Sequence, residues 1–434
     1  MDLVPKPDQV VSAANNVAHK MFYGGLADLR PMPRTLIDDG ELREVYHYRP
    51  AAKVLEQGDP VLLVTPLAAP AICFDLRRGC SLVEHFVSAG RPTYLVEYGE
   101  VSFRNRALGM EHWITEIVPA AIEAVSQHAG GRPVHLIGWS LGGIFGLLAA
   151  ADRPDLPIGS ISVVGSPVDV SQVPLVAPLR PLVNLTDGRI LTPVYRLMGG
   201  APKPLVKWAF QLSSFQKLIT KPLAVATHLD DADFLAQIEA VDRFTDNMIA
   251  YPGRTFGQLY HRFVKGNALV NGAINLDGHT IELASIKAPV LVFAGATDGI
   301  APVGSVRPVL KLLTGSRDVR FEIVPGGHLG MLTGRAARGT TWRVMDEWID
   351  QWSTDKPAPR TKKKPAAKKA AKKAPAEKAA PKAVAKKVVA KKVVAKKTVK
   401  KTSAKKPAKK ATADAIGINP TRRYGSAGSR GLAR

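Results

Sequence analysis

Only two cysteines, Cys73 and Cys80, occur in 434 residues, too few for a disulfide framework or a thiolate metal cluster. They are expected to be reduced or buried thiols. No phosphate loop, dinucleotide fingerprint or metal-ligand cluster is present, so no cofactor and no metal is expected. The opening stretch MDLVPKPDQVVSAANNVAHK lacks a basic region leading into an apolar one, as a secretory signal would require. No uninterrupted apolar run reaches bilayer length. A cytoplasmic location is expected, with peripheral attachment to a lipid body or membrane left open.

Acidic residues are scarce at one end only. The chain carries a net charge of +23, from 60 Lys and Arg against 37 Asp and Glu. Residues 353–434 hold 27 basic and three acidic side chains, a net +24, so residues 1–352 stand at −1. The high isoelectric point therefore describes the tail alone. Within it AKKVV begins at Ala385 and Ala390, and AKKTV at Ala395. A step of five residues advances a helix by about 140°, so the valines share no face and an amphipathic membrane helix is not expected. Sparse aromatics and repeated proline predict a disordered polycation. Lys362–Lys410 would contact phosphates or another anionic surface without reading bases. The plain alternative is a solvated tail that keeps the chain soluble.

What is present centres on Ser140. In VHLIGWSLGGIFGLLAA, from Val134 to Ala150, an apolar strand bounded by Pro133 turns sharply into an apolar helix starting near Leu141. A Gly-x-Ser-x-Gly turn in that context strains the backbone so that the hydroxyl projects from the top of a sheet, while Gly138 and Gly142 admit close approach of strand and helix. Free N–H groups at the helix start face the place where an oxyanion would form.

A serine hydroxyl needs a base and a group to orient that base. The strand APVLVFAG is followed by Asp298 in ATDGIAP, and the strand VRFEIV by His328 in PGGHLG. The order Ser, Asp, His is that of a triad: Ser140 as nucleophile, His328 as general base and then acid, Asp298 fixing the imidazole. Asp277 and Asp318 compete with Asp298, but neither follows a buried strand. His135, inside a strand, reads as a packed residue. For the oxyanion, Leu141 supplies one N–H, and Leu67 or Ala68, after the strand PVLLV, supplies the other. Pro66 and Pro70 have no N–H to give.

Several longer stretches resemble the polyhydroxyalkanoate synthase branch of the α/β-hydrolases. They are TPLAAPAICFDLRRGCSLVEHFVSAG, TYLVEYG, YPGRTFGQLYHRFVKGNALVNGAINLDG, IELASIKAPVLVFAGATDGIAP and VPGGHLGMLTG, in register from about Leu42 to Trp352. The resemblance implies a mostly parallel central sheet flanked by helices. The synthases carry a cysteine at the elbow, where a thiolate accepts an acyl group from a coenzyme A thioester; here the residue is Ser140. A seryl ester suits water or an alcohol as acceptor, so the sequence favours a serine hydrolase acting on an acyl or hydroxyacyl ester or thioester. Synthase-like acyl transfer from hydroxyacyl coenzyme A is the alternative. A third reading is a tether to a polyester granule or to the nucleoid. The tail resembles the Lys/Ala/Pro-rich tails of histone-like and granule-associated DNA-binding proteins.

Residues 1–41 are expected to form a helix and a connector before a first strand near Glu44–Tyr48. Residues 42–352 form the hydrolase domain, and 353–434 the tail. The stretch between ISVVGSP and the strand at Pro289 is far longer than a sheet connection needs. A helical cap over 168–280, between the sixth and seventh strands, is expected to enclose an acyl-sized pocket above Ser140.

Overall fold

The structure, a computed structural model, describes residues 6–174, 176–177, 193, 197–213 and 215–354, with the side chains of 212–219 left aside. The tail, its Lys362–Lys410 segment and most of the apolar stretch PLVAPLRPLVNL lie outside the described residues.

The strands of the central sheet are β1 (Arg34–Gly40), β2 (Arg43–Tyr48), β3 (Val61–Val64), β4 (Thr93–Glu97), β5 (Val134–Trp139) and β6 (Ile158–Val164), joined later in the chain by two more. After β6 come the short strands β7 (Gly200–Ala201) and β8 (Tyr251–Pro252), paired with each other, and the hairpin β9 (Ala273–Leu276) and β10 (His279–Glu282). The sheet then resumes with β11 (Val290–Gly295) and β12 (Val319–Val324). Its order is β1-β2-β4-β3-β5-β6-β11-β12. Pairing is antiparallel at β1/β2 and β2/β4 and parallel from β4 to β12. Crossovers from β3 onward put helices on both faces, which is why β3, β5 and β11 are buried along their whole length and read as unbroken apolar runs.

The helices are α1 (Pro7–Tyr23), α2 (Leu82–Ser88), α3 (Val118–His128) and α4 (Leu141–Asp152), then α5 (Lys203–Ser213), α6 (Phe215–Thr227), α7 (Ala232–Asp246) and α8 (Gly253–Gln258) in the segment between β6 and β11. The chain continues through α9 (Val303–Val306) and α10 (Gly330–Thr333) to α11 (Thr341–Trp352). One apolar core packs α3 and α4 against one face of the sheet, and a second packs α2, α11 and Phe244 of α7 against the other.

Two expectations are corrected. The first strand is Arg34–Gly40, not Glu44–Tyr48. Its edge position and a bulge between Leu36 and Asp38 destroy the two-residue alternation that would have announced it. The segment over the sheet is also not wholly helical, since β7 and β8 form a two-stranded ribbon within it. That ribbon pairs residues fifty positions apart, which no local pattern can signal. Cys73 and Cys80 are both buried and free, and burial pushes the Cys73 thiol well above its ordinary range.

Candidate active site

Ser140 sits between β5 and α4 with φ 54° and ψ −123°, one of four non-glycine residues among those described with positive φ. Such a conformation costs about 1–3 kcal/mol and persists only where the surroundings impose it. Here the Ser140 N–H donates to the Val164 carbonyl (2.8 Å), and the Ser140 carbonyl accepts from Ser166 Oγ (2.7 Å) and the Gly143 N–H (3.1 Å). A Cβ on Gly142 would stand 2.3 Å from the Val64 carbonyl oxygen, and one on Gly138 2.5 Å from Gly143 Cα. Both glycines are there because strand and helix touch.

Asp298 lies in the loop after β11 and His328 in the loop after β12, neighbouring parallel strands whose carboxyl ends open on the same side. His328 Nδ1 is 2.8 Å from Asp298 Oδ2. The other carboxylate oxygen, Oδ1, accepts from the Ile300 and Ala301 N–H groups at 2.8 and 2.9 Å. With Oδ1 so occupied, Oδ2 accepts the hydrogen bond of an Nδ1–H, which leaves the imidazole Nε2 as the open acceptor. Both residues are buried, at 6% exposure for Asp298 and 8% for His328, and a buried carboxylate is held more strongly to its partner than an exposed one. Asp277 instead occupies the β9–β10 turn, ion-paired with Arg254, and the Asp318 carbonyl merely accepts from the Val290 N–H.

Ser140 and His328 line one cavity of about 440 Å³. Its walls include Pro66, Ala68 and Leu141 from the sheet side, and Leu205, Phe210 and Met248 from the segment between β6 and β11. Ala68 and Leu141, two of the three oxyanion candidates, are at the wall, while the Leu67 side chain is 1% exposed and packed in the core. The Ala68 carbonyl accepts from the Ile249 N–H (3.0 Å), which ties the loop to the chain above it.

Two contributors escaped sequence reasoning. Trp139 Nε1 donates to the His328 carbonyl (3.0 Å), with its ring centroid 5.0 Å from the imidazole. Gly165, next to the end of β6, faces the imidazole so closely that a Cβ there would be 3.2 Å from Nδ1. An aromatic directly before the elbow serine was the available signal for Trp139; Gly165 had none. His135 is fully buried between Ser160 Oγ (2.8 Å) and Ser353 Oγ (3.0 Å), as a packed residue should be. Among the described residues no group of His, Cys, Asp and Glu could hold a metal ion. No helix among them is long and apolar enough to cross a membrane.

The chain is similar to the poly(3-hydroxyalkanoate) polymerase subunit PhaC of Allochromatium vinosum, with 25% identity over 80% of this chain and 98% of that protein. Its likeness to the PhaC subunit of Thiocystis violacea is 23% over 80% and 98%. Among solved structures, alpha/beta hydrolase domain-containing protein 10 from mouse is 14% identical over 74% of this chain and 99% of that one, with a TM-score of 0.42. The esterase RhEst1 from Rhodococcus sp. ECU1013 is 16% identical over 74% and 100%, with a TM-score of 0.44. No family model matches the chain. The parallel sheet, the strained serine between β5 and α4, and similarity across nearly the whole length of the two PhaC subunits converge. The chain is an enzyme of the α/β-hydrolase type, polyhydroxyalkanoate synthase-like in sequence.

Proposed function

We propose that the protein is an acyltransferase that takes a hydroxyacyl group from a thioester onto Ser140 and passes it to a hydroxyl acceptor. The observation that carries this reading is the Asp298–His328 pair (2.8 Å) beside Ser140 in a mostly apolar cavity, in a chain similar to two named polymerase subunits over 98% of their length. Ser140 Oγ attacks the thioester carbonyl as its proton passes to His328 Nε2. The oxyanion is met by the Leu141 and Ala68 N–H groups. Collapse expels the thiolate, which takes the proton from His328 and leaves as the thiol. The acceptor hydroxyl then gives its proton to His328 and attacks the seryl ester, and Ser140 Oγ recovers a proton as it departs.

The first half-reaction runs downhill, because a thioester is a better acyl donor than the oxygen ester it forms. In the second, one ester replaces another, so the acceptor is chosen by what enters the cavity. An apolar wall disfavours water and leaves room for a second hydroxyacyl group. The specific observation that favours hydrolysis instead is the serine itself: a seryl ester lacks the thioester's reactivity toward alcohols, and water needs no acceptor site.

Incubating the protein with a 3-hydroxyacyl coenzyme A and following both protein and products by mass spectrometry decides between them. Oligomeric hydroxyacyl products and an acyl adduct on the Ser140 peptide, both lost in Ser140→Ala, are the expected result. Free acid as the sole product would establish the hydrolase. For residues 353–434 we propose a salt-sensitive attachment to an anionic surface, whether polyester granule or nucleic acid; truncation at 355 should abolish it with turnover retained.

A further inference from the structure

The 2.8 Å bond from His328 to Asp298 holds one atom of the imidazole, Nδ1, while the ring torsion of a histidine has broad minima. The loop that carries His328 is also permissive, since Gly326 stands at φ 118° and Gly327 follows it. A base that takes and returns protons at Nε2 needs its ring plane and its backbone held as well. Both restraints come from one side chain. Trp139, the last residue of β5 and 1% exposed, donates its Nε1–H to the His328 carbonyl (3.0 Å). Its ring centroid stands 5.0 Å from that of the imidazole, with the two planes tilted by 42°.

Trp139 is in turn held from the cap. Phe244 of α7 meets the indole edge-on, at 5.8 Å and 64°, and Phe210 of α5 meets Phe244 in the same way, at 5.7 Å and 66°. Edge-to-face rings at such distances are a favoured arrangement of aromatic pairs, and a close-packed interior transmits displacement rather than absorbing it. Phe210 lines the Ser140 cavity, whereas Phe244 is fully buried and is not part of the described cavity lining. An effect of Phe244 on turnover therefore has to pass through a neighbouring side chain, not through contact with the substrate.

We propose that Trp139 is a positioning residue for the base, and that Phe244 of the cap sets the indole and through it the His328 imidazole. This role rests on the reading above only in taking Ser140 and His328 as the reacting pair, whichever acceptor receives the acyl group. Because His328 carries the proton in both half-reactions, a displaced imidazole slows both together and lowers kcat with little change in KM.

Release of p-nitrophenol from butanoate and octanoate esters tests it, measured on the full-length chain and on its Trp139→Phe, Phe244→Leu and doubly substituted variants. Trp139→Phe keeps an aromatic ring and loses the N–H, while Phe244→Leu leaves the indole and its bond to His328 in place. In Trp139→Phe kcat should fall about tenfold or more, and in Phe244→Leu about threefold, by the same factor on both esters and with KM within about twofold of the parent. The double variant should match Trp139→Phe alone, because the two substitutions interrupt one connection. Melting profiles accompany the kinetics, and if Trp139→Phe does not fold, Phe244→Leu decides the matter by itself.

A kcat within about twofold of the parent in Trp139→Phe overturns the proposal, and the same result in Phe244→Leu overturns the part given to the cap. A KM rise in Phe244→Leu confined to the octanoate ester also overturns it, since that would mark a contact with substrate. So does a double variant whose loss is the product of the two single losses, as independent packing faults would give. Ester turnover that survives Ser140→Ala, or is absent from the parent chain, overturns the reading of the reacting pair and this role with it. Ser140-dependent turnover that neither aromatic substitution alters overturns the positioning role alone.

Discussion

All six residues of β5 are buried, and so are ten of the twelve in α4 behind Ser140. In α5, above the same cavity, Leu205 and Trp208 remain 37% and 58% exposed, and α6 keeps Leu223 at 69%. Ser140 is thus anchored in the packed sheet, while the chain over its cavity is amphipathic and half in solvent. A buried, close-packed element permits little displacement, and the Ser140, Asp298 and His328 positions need that constancy. Partly exposed helices lose less when their side chains change, so the lining of the cavity is where this scaffold has freedom to vary. The cap is tied down at several points, among them Ile249 on the Ala68 carbonyl, Arg77 on Asp233 and Gln237, and Phe244 against Trp139, ring centroids 5.8 Å apart.

Substitutions on the sheet side should have the largest effects. Asp298→Asn leaves Oδ1 able to accept from Ile300 and Ala301 but offers an amide to Nδ1, so the imidazole adopts the wrong tautomer. Turnover of a thioester or p-nitrophenyl ester should fall about ten-thousand-fold, read by steady-state kinetics alongside an unchanged melting profile. A fall of less than tenfold would detach Asp298 from the chemistry.

Gly142→Ala sets a Cβ 2.3 Å from the Val64 carbonyl oxygen, a backbone atom that cannot swing aside. The expected loss is about 2–4 kcal/mol or more of stability, in the range of severe packing faults. Urea unfolding measures it. A loss under about 0.5 kcal/mol would mean that β3 and α4 do not meet as closely as described.

His135 sharpens the contrast through pH. Burial, with Arg91 adding repulsion, lowers its pKa from 6.5 to about 3. Because the folded chain holds the ring neutral, its contribution to stability is present above pH 6.5 and is lost as pH falls toward 3. The slope approaches one proton, about 1.4 kcal/mol per pH unit. His135→Gln should flatten the stability profile between pH 6 and 3, compared by denaturant unfolding at each pH; an unaltered slope would assign acid sensitivity to other groups.

The smallest effect belongs to the cap. Phe210→Ala enlarges the Ser140 cavity from a half-buried position, and should cost about 1–2 kcal/mol at most, less than for a fully buried phenylalanine. Its readout is preference: the ratio of kcat/KM for long over short acyl chains should rise about tenfold. No change in that ratio would remove α5 from substrate selection.

The elbow was legible because everything it needs is local: an apolar strand, a turn with glycine on both sides of the serine, an apolar helix. The Asp298 and His328 loops were legible by order after their strands, although their 2.8 Å contact depends on β11 and β12 lying side by side. β1 was missed because its pairing at the edge, with a bulge, leaves its exposure without period. That Ala68 and not Leu67 lines the cavity follows from the Pro66–Ala69 turn, closed by an Ala69 N–H bond to the Pro66 carbonyl (3.3 Å), which no periodicity announces.

By itself the sequence determined the strand–serine–helix elbow, the order of the triad candidates, the near-neutral body and the strongly basic tail, because composition and short-range periodicity carry that information. Only the tertiary structure decided which residues line the cavity at the serine and that Trp139 braces the His328 loop. Those outcomes depend on contacts between residues far apart along the chain, and such contacts exist only once the sheet has set its strand order and the chain above it has closed over the serine.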